Sequence, residues 1–156
     1  MIIYCATDLN IEVPYDFLNG VSLDNLNLHR AELEDSDLSG SSFLNTNLRG
    51  AFLFGSNMSN CNFESANLIV ADCRSTNMSN SNLKNSILIS TLFEDANLQN
   101  VDFTNANLDG ANFTNANLKG ALISSLNIGK AIFKNTIYDA STVWLNNFIP
   151  NGTHCV

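Results

Sequence analysis

The stretch ANLDGANFTNANLKGA, residues 106–121, states one five-residue pattern three times: Ala106-Asn107-Leu108, Ala111-Asn112-Phe113 and Ala116-Asn117-Leu118. A step of five matches neither the alternation of a strand nor the 3.6-residue turn of a helix. It marks a repeat architecture, which takes precedence over any local helix or strand reading. Stepping by five from Leu108 in both directions reaches Leu23 and Tyr138 without a slip. The 24 positions hold 12 Leu, 6 Phe, 2 Met, 2 Ile, Cys73 and Tyr138, and none is charged.

The residues around each large apolar centre have fixed characters. Two before it, 20 of 24 side chains are Ala, Ser, Thr or Cys, the exceptions being Val21, Leu26, Val101 and Leu126. Immediately before it, 15 of 24 are Asn or Asp. Two after it, 20 of 24 are Gly, Asn, Asp or Ser, the residues that tolerate turns. The small and large residues are two apart, so both point the same way from a short extended segment. The turn-former then bends the chain, and such segments stack coil on coil through backbone hydrogen bonds.

This A-[DN]-L-x-x pattern, in one register over residues 21–140, resembles the pentapeptide-repeat family. The resemblance implies an all-β fold: a right-handed quadrilateral β-helix with four units per coil. Twenty-four units then make six coils, a rod about 29 Å long at ~4.8 Å per coil. The interior columns become Leu23 to Ile123 on face one, Leu28 to Ile128 on face two, Leu33 to Phe133 on face three and Leu38 to Tyr138 on face four. All six Phe centres fall on faces one and three. A bare terminal coil would expose its core and its unpaired backbone edges. Residues 1–20, with Tyr4, Phe17 and Leu18, are therefore expected to form an N-terminal cap. Residues 141–156, with Trp144, Phe148 and Ile149, are expected to form a C-terminal cap. Two arrangements stay open for that tail: folding over the last coil, or pairing with a second copy as a homodimer through a solenoid end.

Composition narrows the function. Fifteen acids face seven Lys and Arg, a net charge of −8. Nucleic-acid binding needs a basic surface, and an anionic membrane repels the same charge, so neither is an expected partner. No apolar window is long enough to span a bilayer. The N-terminus carries Asp8 and Glu12 and lacks the basic start of a signal peptide. The expected location is the cytoplasm, where Cys5, Cys61, Cys73 and Cys155 stay as thiols.

No catalytic, cofactor-binding or metal-binding constellation is expected. The two histidines, His29 and His154, lie near opposite ends of the chain. Glu32, Glu34, Asp35 and Asp37 straddle a corner and read as an acidic patch. Cys73 falls on a core centre and Cys61 in a small interior slot, so both read as buried apolar groups rather than nucleophiles.

The walls are more informative, because residues flanking each centre should be polar. Phe52, Phe54, Ile69, Ile87, Ile89 and Leu92 break that rule near the middle of the rod, with Val70 at a corner. They form a candidate apolar patch, either incidental or a contact surface for a partner protein or a second copy. The reading is a non-enzymatic protein-interaction scaffold with an unidentified protein partner. The alternative is one the resemblance implies: a DNA mimic that binds and protects a type II topoisomerase. Against it, eight of the fifteen acids lie within residues 1–37 rather than along the rod.

Overall fold

The computed structural model describes residues 1–7, 10–148, 150–151 and 154–155 of the chain. From residue 21 onward it winds as a β-helix with four parallel ladders. Ser22 bridges Ser42, Asn27 bridges Asn47, Glu32 bridges Phe52 and Asp37 bridges Asn57. The same twenty-residue offset carries the first ladder to Asp102–Leu122 and the fourth to Asn117–Ile137. Among the described residues there is no α-helix, only two short 3₁₀ turns, Ile128–Lys130 and Leu145–Asn147.

Each unit satisfies its backbone in three directions. In the unit of Leu68, the centre N–H donates upward to the Ile87 carbonyl at 2.8 Å. The Asn67 N–H donates downward to Thr46 at 2.9 Å, and the Ala71 N–H closes the turn onto Leu68 at 2.9 Å. Every corner residue from Asn25 to Gly120 has a positive φ. This is the third position of a type II-like turn, which favours Gly and Asn. The turn-former column thus exists to supply a left-handed backbone angle.

The small interior slots hold hydroxyls for a physical reason. The centre carbonyl of each unit keeps a free lone pair facing the coil above. Thr46 Oγ1 donates to Leu23 O at 2.7 Å, Ser81 Oγ to Met58 O at 2.7 Å and Thr91 Oγ1 to Leu68 O at 2.8 Å. A buried hydroxyl there is satisfied and costs little. The centres fill the interior, and Leu28, Leu48, Leu68, Leu88 and Leu108 are fully buried. The phenylalanines stack coil on coil. Phe43 and Phe63 lie 4.7 Å apart on face one, and Phe93, Phe113 and Phe133 follow at 5.1 Å intervals on face three.

The unbroken register of the sequence does not survive intact in the backbone. On face two Asn107 bridges Leu126, an offset of nineteen, and the ladders return to twenty at Asn112–Ile132. Ser125 rather than Leu126 occupies the small slot, and Leu126 is 56% exposed. Asn127 takes the positive φ in place of residue 125, and the 3₁₀ turn swings Ile128 back so that its side chain is still buried. A unit one residue short is thus followed by one a residue long. Ser125 Oγ, displaced from the usual pattern, finds no hydrogen-bond partner among the described residues. Tyr138, the last centre, is only half-buried.

At the N-terminal end, strands β1 (Ile2–Ile3) and β2 (Ile11–Glu12) pair antiparallel, with Ile2 opposite Glu12 and Ile3 opposite Ile11. Cys5 bridges Ala31, also antiparallel. Ile3, Cys5, Val13 and Leu18 are buried and join the core cluster. At the other end β3 (Leu122–Ile123) pairs in parallel with β5 (Val143–Trp144), and β4 (Ile137–Tyr138) with β6 (His154–Cys155). The Trp144 ring sits edge-on to Phe133 at 5.4 Å and to Tyr138 at 5.6 Å, and Phe148 lies 6.1 Å from both Trp144 and Phe133. Trp144 and Phe148 therefore fold over the last phenylalanine of the face-three stack. Ile149, the third residue of the expected C-terminal contact, lies outside the described residues.

Candidate functional site

The apolar wall residues divide into two groups. Ile87 and Ile89 flank the buried centre Leu88 and both point outward. Ile69 lies one coil below Ile89, and Val70 follows at the corner, where its N–H donates to Ile89 O at 3.0 Å. Ile87 is 38% exposed and Val70 51%, while Ile69 and Ile89 are half-buried. These four form one continuous strip, with the half-buried Leu92 round the next corner.

Phe52 and Phe54 stand apart from that strip. The face-three ladder runs Phe52, Asp72, Leu92, so an aspartate separates Phe52 from Leu92. Arg74 grips Asp72 through Nε at 2.8 Å and Nη2 at 2.6 Å. The same guanidinium lies 5.9 Å from the Phe54 ring, and Arg30 lies 5.9 Å from the Phe52 ring. The two phenylalanines thus act as platforms for arginines. The Arg74 hydrogen bond holds the Asp72 carboxyl below its ordinary range.

Two features of the strip work against local stability. The first is Val70, which has φ +51°. A left-handed conformation costs an ordinary residue roughly 1–2 kcal/mol, and for a β-branched one it is a true outlier. The second is Ile87. At twelve of the 24 units the residue before the centre is an asparagine, which can serve two duties. On face four Asn57 donates to Asp37 at 3.1 Å, Asn77 to Asn57 at 3.2 Å and Asn97 to Asn77 at 3.1 Å. Each side-chain carbonyl also accepts the N–H two residues on, as Asn67 does from Ile69 at 3.1 Å. Ile87 offers neither bond, so the Ile89 N–H lacks the side-chain acceptor that Ile69 has.

The remaining candidates fall where their chemistry is muted. Cys73 is fully buried and burial drives its thiol far up; Cys61 is pushed up to about 11 by burial, and its Sγ donates to Leu38 O at 3.0 Å. Glu32, Glu34, Asp35 and Asp37 are all exposed. Among the described residues, no group of three or more His, Cys, Asp or Glu side chains gathers in a way that could hold a metal ion. His29 is half-buried, and the His154 side chain lies outside the described residues. Among the described residues, no helix is long and apolar enough to cross a membrane.

Sequence reasoning missed a second exposed apolar surface, at the N-terminal end. Tyr4 and Phe17, counted with the cap, are 58% and 75% exposed, and Ile2 is 48% exposed. The available signal was the alternation Ile2, Ile3, Tyr4, Cys5: as a strand, it can turn only every second side chain inward.

A chain of stacked five-residue units with small, polar, large and turn positions defines a class of protein, and comparison identifies it. Residues 56–133 match the family model described as a pentapeptide repeat region, and residues 18–55 match the model for pentapeptide repeats. The chain belongs to the pentapeptide-repeat family. A search of curated proteins finds no match. Among solved structures, a pentapeptide repeat protein from Nostoc Pcc 7120 is 25% identical, covering 61% of this chain and 84% of that one, with a TM-score of 0.45. QnrB1, a plasmid-mediated fluoroquinolone resistance protein, is 16% identical over 89% of this chain and 84% of that one, with a TM-score of 0.47. A pentapeptide repeat protein of the Arabidopsis thaliana thylakoid lumen is 20% identical over 67% of this chain and 74% of that one, with a TM-score of 0.39.

Proposed function

We propose that this chain is a non-enzymatic protein-interaction scaffold of the cytoplasm. It is a right-handed rod of six coils closed at both ends, and it docks a partner protein on the strip formed by Ile69, Val70, Ile87 and Ile89. The observation that carries the reading is Val70. A β-branched residue stands half-exposed at a positive φ, where most corners use Gly, Asn, Asp or Ser. Packing within the chain does not require it. Strain of this kind is retained where it serves a site, and its neighbours extend the apolar surface.

The charge distribution favours this reading over a DNA mimic. A mimic of duplex DNA needs negative charge along its whole length, whereas this rod concentrates its acids at or before Asp37. The test is affinity capture from cell lysate with the wild-type chain and with an Ile69→Asn, Ile87→Asn, Ile89→Asn variant, circular dichroism confirming the fold of both. A protein retained by the wild type and lost from the variant supports the docking strip. Identical capture by the two chains overturns it.

A further inference from the structure

We propose that the N-terminal end of the rod is a second docking surface, and that it takes a basic amphipathic segment of a partner protein, with Lys or Arg set around large apolar side chains. The antiparallel pair β1–β2 has an inner and an outer side. Ile3 and Val13 turn inward and are buried. Ile2 and Tyr4 turn outward, with Glu12 directly opposite Ile2 on the same side. A solenoid cap ordinarily turns a polar face to water. This one hides the core and presents a new apolar surface.

That surface has depth and a mainly acidic surround, the Met1 ammonium being tied to the Val13 and Tyr15 carbonyls at 2.9 Å. Met1, Phe17, Leu18, Asn19, Ser36 and Asp37 bound a hollow of about 290 Å³. Phe17, 75% exposed, stands at its edge. Asp37 lines it and Asp16 adjoins Phe17 in the chain; Glu12, Glu32, Glu34 and Asp35 are the other exposed acids among the described residues of the N-terminal segment and first coil. Asp37 accepts hydrogen bonds from the Ser39 N–H at 3.2 Å and the Asn57 amide at 3.1 Å, which favours its charged form. Arg30 is the one Lys or Arg in residues 1–37, and its guanidinium is directed onto Phe52 on the wall.

Charge complementarity decides the occupant. A second copy docked by the same face would set these carboxylates against their own equivalents, and like-charge juxtaposition suppresses such pairing. An anionic bilayer or a nucleic acid is repelled in the same way. A basic segment gains Coulomb attraction from these carboxylates, and an apolar side chain of that segment removes Phe17 and the hollow from water.

The test uses the full chain and a fluorescent peptide that alternates Lys and Leu, with a Glu–Leu peptide as its charge-reversed control. We expect the Lys–Leu peptide to bind and the control not to bind. Phe17→Ser and, separately, Asp16→Asn with Asp37→Asn should each weaken binding by about tenfold or more, and the acid variant should also flatten its salt dependence. Glu94→Gln with Asp95→Asn, on the wall of a distant coil, should leave the affinity unchanged. Should Phe17→Ser lower the thermal midpoint, Tyr4→Ser replaces it as the apolar variant. The proposal is overturned if the Lys–Leu peptide does not bind, if the wall variant weakens it as much as the end variants, or if neither apolar variant weakens it. It is equally overturned if the wild type dimerises through this end, seen as sedimentation of a dimer that Phe17→Ser abolishes.

Discussion

At the scale of single residues, the fold is a set of positional demands. The corner asks for a positive φ, and Val70 meets that demand at a cost. Val70→Asn should therefore raise stability by roughly 1 kcal/mol, read as a higher urea midpoint with an unchanged slope. The same change should weaken the proposed partner contact, since it replaces an apolar side chain with a polar one. Carboxylates answer a second demand, by accepting hydrogen bonds from the wall. Asp72 is held low by Arg74, and Asp139 by Ser141. At Asp102 burial pushes upward, but hydrogen bonds from Thr104 and the Lys84 ammonium 3.1 Å away outweigh it. With folded pKa values below those of the unfolded chain, these groups stabilise the fold above the ordinary carboxylate range. That contribution is lost as pH falls through about 4 and below. The urea midpoint should be flat above about pH 5 and fall steeply beneath it, and Asp72→Asn should lessen the slope. Much of this level was legible in the sequence, because Leu, Ala and Asn at fixed offsets announce core, slot and ladder. The outward turn of Phe17 was legible only by carrying the register one step below Leu23, where Leu18 takes the buried centre and Phe17 the outward position before it.

Among elements, the break on face two and the C-terminal tail matter most. The break left no trace in the spacing of centres, because a short unit and a long unit cancel and Ile128 stays on the multiple of five. Its one warning was Leu126, and that was ambiguous, because Val21, Leu26 and Val101 also fill slots with larger side chains and keep the register. The packing of the tail was legible in its aromatic content, but its pairing was not. β5 lies parallel on β3, continuing the winding, and brings Trp144 over Phe133. Trp144→Ala should cost about 3 kcal/mol, near the lower end for aromatic truncation because the ring is only half-buried. Urea unfolding measures this, and an unchanged midpoint would mean that the ring does not close the stack. The indole Nε1 is buried without a partner among the described residues, a small cost set against that packing.

For the whole molecule, the two ends differ in kind. One carries an antiparallel hairpin among acidic residues, the other a parallel continuation topped with aromatics. The four ladders between them give the rod an indexing property. Each coil spends twenty residues to advance about 4.8 Å. Excising one whole coil, for instance residues 42–61, would shorten the rod by that amount and leave the strip facing as before. Excising five residues would instead turn everything above the cut by one side of the square. The angle between the apolar strip and the acidic end is thus written in chain length alone, and a partner that grips both can be mis-set by a deletion that removes none of the residues it touches.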